Sequence, residues 1–82
     1  MALLGSKNPQ LTAMMHGGIK SLVKQAKDQI VRTFEYFDGD VKASAAKLAI
    51  SRATLNRWIK ENPDLRVALD RIRARAVARA AR

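Results

Sequence analysis

The amino-acid sequence predicts a small all-α domain of about four helices, and three observations support this fold class. Apolar residues recur every three or four positions from residue 19 onward, which is the period of a helix with one buried face. Aromatic residues are few, so the core must draw on Leu, Ile, Val and Ala, which typically pack helices against helices. The length of 82 residues supports one domain, and the chain has no cysteine for disulfides or thiolate metal sites.

The first part of the chain lacks a sustained helical period. Residues 1–18 contain three glycines and a proline, so we expect a mobile N-terminal arm with room for a short helical turn near residues 11–15. The helical domain is expected over residues 19–82. Its first helix, over residues 19–37, would end at Gly39, which can adopt the left-handed backbone that closes a helix. The buried face of this helix would comprise Ile19, Leu22, Val23, Ala26, Ile30, Phe34 and Phe37.

Two shorter helices are predicted within the segment 40–61. Asp40 can cap the first, over residues 41–48 or one residue more, because its carboxylate can accept hydrogen bonds from the free amides of the first turn. Ser51 can cap the second helix in the same way, and that helix is expected to run to about Glu61. Two short helices joined by a turn of a few residues are what a helix-turn-helix requires.

The residues around the turn make the helix-turn-helix interpretation more specific. Ala45 is small where the two helices would touch, and Ile50 can fill the corner between them. The second helix would bury Leu55, Trp58 and Ile59, which leaves the opposite face exposed because residues three or four apart share a face. That face carries Arg52, Ala53, Asn56, Arg57 and Lys60. Arginine can bond guanine, and asparagine can bond adenine, through paired contacts in the major groove of DNA.

A fourth, basic helix is predicted over residues 63–80. Asn62 would cap it, and Pro63 suits the first helical position, where its missing N–H is no loss. One stripe of this helix carries Leu65, Leu69, Ile72, Ala76 and Ala80. Its arginines could hold phosphates or only keep a dimerisation helix solvated, and the sequence favours neither.

The formal net charge of +9 is concentrated in the second half of the chain. Residues 19–40 hold four positive and four negative side chains, whereas residues 41–82 hold eleven positive and three negative, a net +8. A polyanion such as nucleic acid is the usual partner for such a field, and an anionic membrane surface is the next candidate. Candidate phosphate contacts outside the exposed face are Lys42, Lys47, Arg66 and Arg73.

Residues 45–60 resemble the helix-turn-helix of the factor for inversion stimulation and of the DNA-binding ends of bacterial enhancer-binding activators. In that family a Gly-Asn/Asp turn leads into Ala-Ala-x-x-Leu-Gly-Ile-Ser-Arg-x-Thr-Leu-x-Arg. Here Gly39-Asp40 stands eleven residues before Ile50, and the matching residues are Ile50, Ser51, Arg52, Thr54, Leu55 and Arg57. The resemblance implies a homodimer paired through the first helices, with the following DNA contacts: Ser51, Arg52, Asn56, Arg57 and Lys60. Ala53 lies on the same face and completes the candidate DNA-binding set.

Three features depart from the family pattern. The turn glycine is Ala49, which must either adopt a left-handed backbone at a cost of about 1 kcal/mol or reshape the turn. Lys47 replaces a residue that is usually apolar. The chain also continues past the motif, and the helix that begins at Asn62-Pro63-Asp64-Leu65 resembles the helix that follows the recognition helix in phage-type regulators and small terminase subunits.

Two functional classes follow from these patterns. The first is a sequence-specific bacterial or phage transcriptional regulator, or a DNA-bending protein, that inserts residues 51–61 into the major groove of double-stranded DNA. The alternative is a basic helical interaction module, such as a small terminase-type DNA-packaging subunit. We expect no enzymatic activity, cofactor, metal or small-molecule substrate, because no pair of acids, ligand cluster or phosphate-binding loop stands out and His16 has no second ligand. The expected location is the cytoplasm, at the nucleoid and away from membranes.

A homodimer joined through residues 19–37 is also expected on physical grounds. The apolar stripe of that helix is about 27 Å long, and the rest of a chain this small would cover only part of it. Exposed apolar surface of that size is rare on soluble monomers. The alternative dimer interface is the apolar stripe of the fourth helix, formed by Leu65, Leu69 and Ile72.

Overall fold

The positions of the helices follow from the apolar period and from the caps. The computed structural model describes residues 8–81, and these form five helices around one core. They are α1 (Pro9–His16), α2 (Lys20–Tyr36), α3 (Val41–Leu48), α4 (Arg52–Glu61) and α5 (Pro63–Ala80). The longer α2 contacts α1, α3 and α5, while α4 contacts α3 and α5. The all-α fold class is confirmed, and the helix count over the described residues is five rather than about four.

The helix α1 corrects the expectation of a mobile arm over residues 1–18. Asn8 caps α1, because its Oδ1 accepts a hydrogen bond from the Leu11 N–H at 3.0 Å. The Asn8 side-chain amide also donates to the Leu48 carbonyl at 2.9 Å, which ties the start of α1 to the end of α3. Leu11 is only 2% exposed and belongs to the core. The short helical turn expected near residues 11–15 is thus a helix over Pro9–His16 that packs on the core, whereas residues 1–7 lie outside the described part of the chain.

The turn between α2 and α3 contains two consecutive left-handed residues. Gly39 has a φ of +83°, as expected, and Asp38 has a φ of +55°, which was not foreseen. Both residues are held by the C-terminal half of α5: Arg73 Nε donates to the Gly39 carbonyl at 3.0 Å, and Arg79 pairs with the Asp38 carboxylate. A Cβ atom at Gly39 would lie 2.5 Å from the Cγ of Arg73, so only glycine fits there without displacing that arginine.

Three residues join α3 to α4, and Ala49 takes the left-handed conformation instead of reshaping the turn. Its φ and ψ are 58° and 42°. The Ala49 N–H donates to the Ala46 carbonyl at 3.1 Å, and the Ile50 N–H donates to the Ala45 carbonyl at 3.0 Å. These bonds satisfy the last carbonyls of α3, and Ile50 is buried at the corner. Ala49 thus ends α3 in the left-handed conformation that glycine usually adopts at this position.

The caps of α3 and α4 follow the sequence-based expectation, whereas Asn62 does not cap α5. Asp40 accepts from the Ala43 N–H at 3.1 Å, and Ser51 Oγ accepts from the Thr54 N–H at 3.0 Å. Asn62 stands at the predicted position, but its side-chain amide donates to the carbonyl of Trp58 at 2.8 Å. The side chain of Asn62 therefore closes the end of α4, and only its backbone carbonyl, which accepts from the Leu65 N–H at 2.9 Å, takes part in the start of α5.

The apolar stripe predicted on α2 is buried in its middle and exposed at its beginning. Ala26, Ile30 and Phe34 are 0% exposed within the single chain, whereas Ile19 is 53% exposed. The helix α2 contacts three neighbours, including α1, which the sequence predicted only as a short helical turn. The competing stripe of α5 is used internally, since Leu65, Leu69 and Ile72 are 6% exposed or less. A homodimer through residues 19–37 stays a prediction.

Replacement of Ala49 by glycine should stabilise the protein. Glycine adopts the left-handed backbone without steric cost, although its greater freedom in the unfolded chain offsets part of that gain. We expect the free energy of unfolding to rise by about 0.5–1 kcal/mol in urea titrations. The matched control is Ala46→Gly in the exposed middle of α3, which should lower stability by about 1 kcal/mol. A loss of stability in both variants would contradict the left-handed turn.

Replacement of Ser44 by alanine should also stabilise the protein. Ser44 is 0% exposed, and its hydroxyl has no hydrogen-bond partner among the described residues. Removal of an unpaired buried hydroxyl should raise the free energy of unfolding by about 1 kcal/mol, measured by thermal and chemical denaturation. Ser21→Ala, at an exposed position of α2, serves as the control and should change stability by less than about 0.5 kcal/mol. A destabilised Ser44→Ala protein would mean that the hydroxyl has a partner in solution.

Candidate nucleic-acid interface

The exposed face of α4 brings together all five of its residues that the sequence assigned to DNA. Leu55 and Trp58 are 0% exposed and Ile59 is 3% exposed, so the rotation of α4 about its axis is fixed by this buried face. On the side opposite this buried face the exposed residues are Arg52, Ala53, Asn56, Arg57 and Lys60, and the acidic Glu61 at the end of α4 is exposed as well. We call the first five of these residues the α4 face. Its small Ala53 leaves the helix backbone accessible between longer side chains.

The charged groups of the α4 face are available for a ligand. Among the described residues, neither Arg52 nor Arg57 nor Lys60 has a hydrogen bond or an ion pair through its side chain. Their positive charges are therefore not neutralised within the chain. Guanidinium groups suit planar acceptors such as a guanine edge or a phosphate, and an ammonium suits a phosphate.

Ser51 has a structural role that the sequence-based set of DNA contacts did not distinguish. Its Oγ accepts from the Thr54 N–H at 3.0 Å and donates to the Thr54 Oγ1 at 2.8 Å. Both hydrogen-bonding functions of the hydroxyl are thus used to begin α4. Ser51 positions the first turn of the α4 face, and its hydroxyl is committed to the chain itself.

Trp58 anchors α4 to α1, as well as to the rest of the core. It is fully buried, as the sequence predicted, and its indole Nε1–H donates to Nε2 of His16 at 3.2 Å. The two rings lie 5.8 Å apart between centroids and are tilted by 59°. Sequence reasoning missed this role for His16. The sequence offered one signal for it: Trp58 was predicted to be buried, and the indole N–H of a buried tryptophan usually has a hydrogen-bond acceptor.

A groove between α4 and α5 collects two of the four candidate phosphate contacts. We call it the α4–α5 groove; its volume is about 580 Å³. The residues that line it are Val41, Asn56, Ile59, Lys60, Pro63, Arg66, Val67, Leu69 and Arg73. Arg66 and Arg73 thus lie on the same groove as Asn56 and Lys60 of the α4 face. Arg66 also pairs with Asp70 at 3.4 Å, and Arg73 is bound through Nε to Gly39.

The other two candidate phosphate contacts lie elsewhere on the surface. Lys47 is exposed and lines a different groove, between α2 and α3, together with Arg32 and Tyr36. Lys42 is exposed on the first turn of α3 and lines neither groove. The structure therefore joins Arg66 and Arg73 to the α4 face but separates Lys47 from it.

Among the described residues there is neither a metal-binding cluster nor a helix that could span a membrane. Within residues 8–81, no three His, Asp or Glu side chains lie close enough together to hold a metal ion. In the same part of the chain, none of the helices has the length and hydropathy needed to cross a lipid bilayer. The arrangement is suited to binding an anion across an exposed helix and an adjoining groove. Comparisons with protein-family models, with curated proteins and with solved structures found no match to this chain.

Proposed function

We propose that this chain binds double-stranded DNA by inserting α4 into the major groove. The observation that carries the proposal is the α4 face, which presents two unpaired guanidinium groups, an amide and an ammonium on one exposed side of a rigidly held helix. An α-helix fits the width of the major groove, and these are the side chains that read base edges and hold phosphates there. The role is one of binding rather than catalysis.

The connection of α3 to α4 supports the same proposal. The three-residue turn, the two capped N-termini and the contact between α3 and α4 provide what a helix-turn-helix needs to hold its second helix at a fixed angle. The order of residues 45–60, which resembles the family named above, adds to this support. We assign Arg52 and Asn56, in the N-terminal half of α4, to base contacts, because recognition helices approach the bases through their N-terminal residues.

The distribution of charge supports a polyanionic partner over an uncharged one. Residues 41–82 carry a net +8, and ion pairs within the chain involve few of these cations. Several exposed cations without a partner among the described residues lie on α3, α4 and α5: Lys42, Lys47, Arg52, Arg57, Lys60, Arg71 and Arg75. Phosphates would neutralise them and release counterions. The proposal places the protein at the nucleoid as a regulator or DNA-bending factor of bacterial or phage type.

The proposal treats a single chain as the DNA-binding unit. The middle of the α2 stripe and the α5 stripe are used in the core of one chain. A near-palindromic site would indicate two chains related by two-fold symmetry, whereas a single half-site would indicate one chain. Selection of bound sequences from a random DNA pool tests specificity and palindromy together.

A second candidate is a basic helical interaction module, such as a DNA-packaging subunit. The observation that favours it is the exposure of two valines on α5: Val77 is 68% exposed, and Val67, which lines the α4–α5 groove, is 55% exposed. Exposed aliphatic residues on a helix are typical of surfaces that pack against another protein. A stable ring or other large oligomer in solution would favour this candidate over the regulator.

The first prediction of the proposal concerns salt. If about 5–8 phosphates are neutralised per bound unit, the slope of log K against log salt concentration should be about −5 to −7. Fluorescence anisotropy titrations of duplex DNA between low and moderate salt measure this slope. Duplex DNA should also bind more tightly than a single strand, because the α4 face has no aromatic side chain for base stacking. A slope near zero would contradict the proposal.

The second prediction separates base contacts from phosphate contacts on the α4 face. Arg52→Ala and Asn56→Ala should each cost about 1–3 kcal/mol on the selected site and little on random DNA, because they remove base contacts. Lys60→Ala should weaken binding to both DNAs by about the same factor, because it removes a phosphate contact. Competition titrations with the selected site and a scrambled duplex provide the comparison. If all three variants lost the same factor on both DNAs, the assignment of base contacts would be wrong.

A further inference from the structure

The width of an α-helix determines what lies beside it in the major groove. A helix with its side chains is about 10–12 Å across, and the major groove of B-form DNA is about 12 Å wide. A sugar–phosphate strand must therefore run along each flank of an inserted α4. On one of these flanks lies α5, and the α4–α5 groove runs between the two helices.

The α4–α5 groove has cations on both of its walls. Lys60 lies on the α4 wall, and Arg66 and Arg73 lie on the α5 wall. No acidic side chain is among the residues of the described chain that line this groove. The buried part of the lining is apolar, because Ile59 is 3% and Leu69 is 1% exposed. The groove therefore combines positive rims with a lining that contains no acidic residue.

We infer that the α4–α5 groove takes one phosphate strand of the bound duplex, with Lys60 and Arg66 contacting phosphates from opposite walls. This inference rests on the proposed function and assigns α5 a direct part in it. The base-reading Asn56 lies at the same groove and would stand between the strand and the base edges. Arg73 contributes its terminal amino groups, since its Nε is already bound to the Gly39 carbonyl. The extra helix thus widens the DNA contact beyond α3 and α4.

Asp70 opposes this contact and lowers the affinity. Its carboxylate lies 3.4 Å from Nε of Arg66, and both side chains are more than half exposed (64% for Arg66 and 59% for Asp70). An ion pair so exposed is weak, so a phosphate can compete for the guanidinium. The carboxylate would then be left near the phosphate strand without its partner. Removal of the Asp70 charge should therefore strengthen DNA binding.

The opposite side of α5 provides a matched control. Arg71 is exposed, has no ion pair among the described residues, and does not line the α4–α5 groove. Five residues along a helix correspond to a rotation of about 140°, so Arg71 points well away from Arg66 around the helix axis. Arg66→Gln and Arg71→Gln remove the same charge from the same helix. They differ in whether the charge faces the groove and in the ion pair of Arg66 with Asp70, so Arg66→Gln is also compared in the Asp70→Asn background.

The experiment measures duplex-DNA affinity across a range of salt for the parent protein, Arg66→Gln, Arg71→Gln and Asp70→Asn. Loss of one phosphate contact should make the slope shallower by about 0.9 and weaken binding about eightfold at 0.1 M salt in Arg66→Gln. Arg71→Gln should change affinity by less than about twofold and leave the slope unchanged. Asp70→Asn should bind severalfold more tightly. Arg66→Lys, which keeps the charge, should restore most of the slope, and circular dichroism should give the same helix content for all variants.

The outcomes separate the inference from the proposed function. If the parent protein binds no duplex even at low salt, the proposed function fails and the inference fails with it. If the parent binds with the expected slope but Arg66→Gln and Arg71→Gln lose the same factor, only the assignment of the α4–α5 groove is overturned. Ethylation of DNA phosphates gives an independent readout. Interference at phosphates on one flank of the site should disappear for Arg66→Gln and persist for Arg71→Gln.

Discussion

The orientation of α4 depends on the burial of Trp58, the largest fully buried side chain in the core. A rotation of α4 by one residue, about 100°, would carry the indole into solvent and turn part of the α4 face inward. The indole N–H adds a directional requirement, because its acceptor is His16 on α1, 42 residues earlier in the chain. An apolar contact alone tolerates some sliding, whereas this hydrogen bond does not. The buried side of α4 therefore determines which side chains the α4 face presents to a ligand.

The direction of α3 is determined by left-handed residues at both of its ends. Asp38 and Gly39 turn the chain before α3, and Ala49 turns it afterwards. Each of these conformations is costly for a residue with a Cβ, so neighbouring groups must hold it. At the first turn that support comes from Arg73 and Arg79 of α5. At the second it comes from backbone bonds to the last carbonyls of α3, with Ile50 buried beneath.

The sequence predicted the elements whose signals are local and missed those that depend on distant partners. The bounds of α3 and α4 followed from Asp40 and Ser51, and the α4 face followed from three buried residues on the same helix. The short α1 buries only Leu11 fully, and it is held by Leu48 and Trp58, which no local pattern reveals. The α4–α5 groove was not predicted either, because the crossing of two helices is decided by packing across the whole core. For the same reason, the sequence did not predict how much of the apolar stripe of α2 the neighbouring helices bury.

The bonds from α5 to the α2–α3 turn also bear on the order in which the chain acquires its structure during synthesis. Arg73 and Arg79 follow their partners by 34 and 41 residues, so α3 and α4 are complete in the nascent chain before either arginine exists. Until Arg73 and Arg79 have been added, the Gly39 carbonyl and the Asp38 carboxylate in the turn before α3 lack these two partners. The middle of the protein reaches its final geometry only when the last helix docks against it. A chain that ended before Arg73 would keep the whole α4 sequence but lack the bonds that hold the turn before α3, so we expect proteases to cleave it more readily than the whole protein.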